Sequence, residues 1–90
     1  NMASSRNNTL EFSSGGSQVL GASDTASLTS IGAIQVINDS VFTTLTSSNV
    51  DFSKQVLTGV TIPAGTVLYG QFSAVVMTSA AGNLVVCHRV

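Results

Sequence analysis

Charge is what this chain has least of. Three basic and four acidic residues make 8% of its 90 positions, against roughly 25% in a typical soluble domain. The three basic residues, Arg6, Lys54 and Arg89, are scattered, so no stripe tracks a phosphate backbone and nucleic acid is excluded as a partner. Tryptophan is absent, and the five aromatics Phe12, Phe42, Phe52, Tyr69 and Phe72 have no basic neighbours, which removes a base-stacking platform. No apolar run approaches the ~20 residues of a membrane-spanning helix. Cys87 is the only cysteine, so no disulfide within the chain can form. The opening residues Asn1 to Arg6 have no apolar stretch of the kind a secretory signal needs. The expectation is synthesis in a cytoplasm without targeting.

Catalytic groups are equally scarce. His88 is the only histidine, and no G-x-S-x-G elbow exposes a serine to it. The carboxylates Glu11, Asp24, Asp39 and Asp51 are widely spaced, so general acid–base chemistry has no local signature. No loop clusters the oxygens that calcium requires. Gly15-Gly16 lacks the Lys and helix of a phosphate-binding loop. Cys87 and His88 are adjacent, so on a strand they face opposite sides and cannot share a metal. Cys87 reads as a small buried apolar residue. The triplets Asn7-Asn8-Thr9 and Asn38-Asp39-Ser40 are matches that arise by chance in so hydroxyl-rich a chain. The expectation is a protein that is not an enzyme and uses no cofactor or metal.

What is present is apolar and hydroxyl-bearing. Hydrophobic residues make 43% of the chain, and Leu, Ile, Val and Phe number 27 of 90. That is above the ~20% below which chains fail to build a core. Yet one 90-residue domain buries only about 60–65% of the surface its unfolded form exposes. Association with other chains is the usual further source of stability. With a net charge of −1, much of the surface must be Ser, Thr, Asn, Gln and Gly. Such a surface packs against protein without the cost of burying unpaired charges.

Along the chain, residues 1–30 are rich in Ser, Thr, Asn, Gly and Ala, and residues 31–90 form a β-domain. In the first region Leu10-Glu11-Phe12 alternates like a short strand, Ser13 to Ser17 reads as a turn, and Gln18-Val19-Leu20 is a second short strand that could pair with the first. Two readings stand side by side. The region is either an arm that lies on a neighbouring subunit, with Leu10, Phe12, Val19 and Leu20 as its anchors, or the first hairpin of the same domain. From Ala33 to Ile37 the chain is short and β-branched, and the Val and Thr residues of 41–46 favour strand over helix. Val56, Val60 and Ile62 read as one strand face. Pro63-Ala64-Gly65 is a turn with proline expected at its second position. Thr66 to Met77 is the longest strand, with its even residues Leu68 to Val76 as the apolar face. Gly70 marks a bend, a bulge or a close neighbour. Ser79 to Asn83 is expected to be a hairpin loop that pairs 66–77 with 84–90. Short strands with frequent turns predict an all-β fold: a small antiparallel β-sandwich, jelly-roll-like or β-clip-like domain.

Three stretches carry a family texture: Ile34 to Phe42, Leu57 to Phe72, and Asn83 to Cys87. They resemble small virion-associated proteins of tailed bacteriophages. The Ile62-Pro63-Ala64-Gly65-Thr66 turn is similar to one in β-clip domains, including trimeric head-decoration proteins of lambdoid phages. This chain departs from those in its longer Ser/Thr-rich N-terminal region. The resemblance implies a capsid decoration or cement role in the virion, with the major capsid protein or other virion proteins as partners and a homo-oligomer, a trimer before other states. A tail, collar or fibre component is the alternative. A small carbohydrate- or ligand-binding β-module is a second, weakened by the lack of Trp and the single Tyr69.

Overall fold

The computed structural model describes residues 16–89. Leu10 and Phe12 lie outside them. The described residues are all-β, with six strands and no helix: β1 (Ser17–Gly21), β2 (Ile31–Asn38), β3 (Ser40–Ser47), β4 (Thr61–Ile62), β5 (Val67–Met77) and β6 (Leu84–Arg89). They form one antiparallel sheet in the order β1-β6-β2-β5-β3-β4. The sheet curls over a single core of Leu20, Ile31, Ile34, Val36, Phe42, Leu45, Ile62, Phe72, Val75, Met77, Val85 and Cys87.

β5 organises this curl. Its first half pairs with β2, from Val67 opposite Gln35 to Phe72 opposite Ile31. Its second half pairs with β3, from Phe72 opposite Ser47 to Met77 opposite Phe42. The other edge of that second half is taken by residues 23–26. Ala26 N donates to Val75 O at 2.9 Å, Met77 N to Asp24 O at 2.9 Å, and Ser23 N to Thr78 O at 2.7 Å. Both edges of β5 are therefore occupied, and this overturns the expected hairpin of 66–77 with 84–90. β6 pairs instead with β1 and β2, and residues 78–83 carry the chain past β2.

The alternation expected along β5 also breaks. Thr46 faces Ala74 while Ser47 faces Phe72, which leaves Ser73 as the extra residue of a bulge. A bulge shifts the period by one and exchanges the faces. Phe72 is buried, but beyond it Val75 and Met77 turn into the core, while Ala74 and Val76 are only half-buried.

Two further expectations change. Val56 and Val60 do not share a strand face with Ile62, being 56% and 47% exposed against 7%. Thr58 bridges Phe42 in the parallel sense, while Thr61 and Ile62 pair antiparallel to β3. The chain must reverse between them, so no strand can run from 56 to 62. In the turn before β5, Thr66 N donates to Pro63 O at 3.3 Å, which places Pro63 first. Gly65 takes the third position at φ 89°, the left-handed conformation that a type II turn demands there.

Gly70 has a close neighbour. A Cβ on it would lie 2.8 Å from Val50 Cγ2 and 3.3 Å from Asn49 Oδ1. That oxygen accepts from Gln71 N at 2.7 Å, so a shift there also strains the β3–β5 connection. We expect Gly70→Val to lower stability by about 1–3 kcal/mol, read from the midpoint of urea unfolding at unchanged slope. No change in the midpoint would show that the loop at 49–50 moves freely.

Candidate interaction face

In antiparallel strands, alternate residues share a face. The register of β1, β6, β2 and the first half of β5 therefore fixes which side chains point away from the core. One row runs Val19, Val86, Gln35, Val67; the next runs Ser17, His88, Ala33, Tyr69. Gly21, Leu84, Ile37 and Gln71 complete the face at its ends. Ile37 sits in a register shift between Val36 and Asn38. None of these twelve positions carries a formal charge, and seven are apolar. Val19 is 62% exposed, Ile37 40%, Val67 39% and Tyr69 64%. Ala33 is covered although it lies outside the core cluster; its cross-strand neighbours Tyr69 and His88 flank it.

Three polar groups of this face, Ser17, His88 and Gln35, bond to one another. Ser17 Oγ lies 2.8 Å from His88 Nδ1, and His88 Nε2 lies 3.3 Å from Gln35 Oε1. With the proton on Nε2, the ring donates to Gln35 and accepts from Ser17. This brings a serine and a histidine together, which the sequence did not predict because Ser17 and His88 are 71 residues apart. The third partner is a neutral amide, whereas a nucleophilic triad uses a carboxylate to stabilise the imidazolium. The carboxylates among the described residues stand elsewhere, each accepting from a backbone N–H. Asp24 accepts from Gly21 at 2.8 Å, Asp39 from Ala64 at 2.8 Å, and Asp51 from Ser53 at 2.8 Å. The Ser53 bonds hold the Asp51 carboxyl below its usual range. Among the described residues no group of three His, Cys, Asp or Glu is placed to hold a metal.

No known protein family, curated protein or solved structure matches the chain.

The sequence-named anchors separate in the structure. Val19 stands on the outer face and Leu20 lies in the core at 2% exposure; Leu10 and Phe12 fall outside the described residues. The segment after β1 is tied down too: Gln18 Nε2 donates to Ser27 Oγ at 2.8 Å, and Ser27 N donates to Gln18 Oε1 at 2.9 Å. A cleft of about 220 Å³ lies beside the β5 bulge, lined by Ser30, Ser48, Gln71, Phe72 and Ser73. It offers hydroxyls and one amide but no titratable group.

Cys87 faces the opposite way, fully buried in the core. Burial pushes its thiol from the usual 9.0 up to about 11. The thiolate is the reactive form, so a disulfide-exchange reagent at pH 8 should label the chain only after denaturant is added. Equal rates with and without denaturant would contradict the burial. The unfolded thiol ionises from about pH 9, while the folded one keeps its proton to about 11. The unfolded state thus loses protons first, and stability present below pH 9 should fall as the pH rises towards 11.

Proposed function

We propose that this chain is a non-enzymatic structural protein of a tailed-phage virion, a decoration or cement protein that binds the outside of the major capsid shell and stabilises it. The outer face carries the first half of that reading. Exposed apolar residues grouped on one sheet face suit a protein-interaction site, and low charge at the centre of a contact is the compositional signal of protein interfaces. A cement protein works through many modest contacts repeated by symmetry, and a face of this kind can supply one of them. The second half, the phage particle, rests on the resemblance of Ile34–Phe42, Leu57–Phe72 and Asn83–Cys87 to small virion proteins.

Quantitative mass spectrometry of purified particles from the source tests both halves. Hundreds of copies per particle are expected for a shell protein. Six or twelve would move the chain to the tail or collar, and absence from particles would overturn the reading.

A further inference from the structure

Histidine is the one side-chain type on the outer face whose charge changes between pH 5 and 8. His88 is half-buried on β6, an inner strand of the four, between Ser17 of β1 and Ala33 of β2. Both ring nitrogens are engaged, Nδ1 by Ser17 Oγ and Nε2 by Gln35 Oε1. With one proton on the ring this arrangement closes on itself: the Ser17 hydroxyl donates to Nδ1, and Nε2–H donates to Gln35. A second ring proton must sit on Nδ1. It points at Ser17 Oγ, so the hydroxyl can only accept there, and its own hydrogen turns away from the ring. Protonation therefore adds a positive charge to twelve uncharged positions and frees a donor that was paired.

The described residues paired with His88 offer no counter-ion. Ser17, Ala33 and Gln35 are uncharged, and Tyr69 of β5, beyond Ala33, is a phenol. Along β6, Cys87 points into the core and Arg89 carries the same sign of charge. Asp39 and Asp51 are engaged by the backbone N–H groups of Ala64 and Ser53. The carboxylate beside the face, Asp24, is held by Gly21 N. Gly21 is the far end of β1 from Ser17, about 14 Å away at 3.4 Å per residue, and charges that far apart are largely screened at physiological salt.

Resting on the docking reading above, we infer that acidification releases the outer face from its partner, with His88 as the sensor. A docked partner takes water from the ring, and desolvation disfavours the charged form. The bound chain therefore resists a proton that the free chain accepts. Linkage gives the sign: affinity is fully present where the ring is neutral and falls as the pH falls.

Titration of the purified chain onto particles made without it, at pH 8 and pH 5, tests this, with circular dichroism following the fold. The parent should stay folded and bind at least tenfold more weakly at pH 5. His88→Gln, which keeps a neutral donor and acceptor, should change less than twofold between the two. His88→Lys, charged at both, should bind at least tenfold more weakly than the parent at pH 8. Equal parent affinity at the two pH values, tighter binding at pH 5, an equal pH response in His88→Gln, full affinity of His88→Lys, or unfolding of the parent at pH 5 would each overturn the sensor. Binding that ignores pH would leave the docking reading in place, whereas a chain that binds particles at neither pH would overturn both.

Discussion

Phe42→Ala should remove a large share of this protein's stability. Phe42 is fully buried, and its backbone ties three segments together. It sits opposite Met77 on β5, it bridges Thr58, and its carbonyl accepts from Gly59 N at 2.9 Å. Truncating a buried phenylalanine costs about 3–5 kcal/mol, through lost transfer energy and an unfilled cavity. A 90-residue domain has a total stability of about 5–13 kcal/mol at 0.05–0.15 kcal/mol per residue. The melting temperature should fall by about 12 °C or more, at 4–8 °C per kcal/mol for a domain of this size. Phe42→Leu, which keeps most of the volume, should lose less than half as much. A shift of under 3 °C for the alanine variant would mean that the core is not built around this ring.

Asn83→Ala should also destabilise the protein, without removing any hydrophobic side chain. Asn83 is 5% exposed, and its amide joins β3, the end of β5 and the start of β6. Oδ1 accepts from Val41 N at 3.2 Å, and Nδ2 donates to Val41 O at 3.3 Å, Thr78 O at 3.1 Å and Thr78 Oγ1 at 3.0 Å. Beside it the fully buried Ser40 hydroxyl donates to Asn38 O at 2.7 Å and accepts from Leu84 N at 3.0 Å. Among the described residues no buried side-chain polar atom lacks a partner. Removing the amide would leave the Val41 N–H without its acceptor, while the Val41 and Thr78 carbonyls would keep Thr78 N and Ser23 N as donors, at a cost of about 1–3 kcal/mol. Asn83→Asp should be at least as damaging at neutral pH, because a carboxylate would face the Val41 and Thr78 carbonyls. Protonation restores a donor, so the Asp variant should gain stability as the pH falls. Chemical unfolding of both variants at two pH values reads these effects. An Asp variant with no pH response beyond that of the parent would contradict the assigned contacts.

The all-β class was legible because its cues are local. Val and Thr across 41–46 and the Pro63-Ala64-Gly65 turn each specify backbone geometry within a few residues. Partner choice is not local, and there the sequence misled. Nothing in 78–83 reveals that both edges of β5 are already filled, so the short loop passed for a hairpin. The bulge at Ser73 was hidden for a related reason. Val75-Val76-Met77 is apolar on both faces, and an exchange of faces leaves no mark in such a run. The outer face escaped notice in the same way: Leu84-Val85-Val86-Cys87 has no alternation to show that Val85 and Cys87 point in while Leu84 and Val86 point out. Its lack of charge, by contrast, was visible in the composition from the start. The structure adds that twelve adjacent positions on four strands hold no charged residue.

The most direct test of whether this face meets protein is carbene footprinting of the chain in its native assembly, compared with the isolated chain diluted to monomer. Val19, Ile37, Val67 and Tyr69 should be labelled several-fold less in the assembly. Equal labelling of all four in the two states would contradict the account.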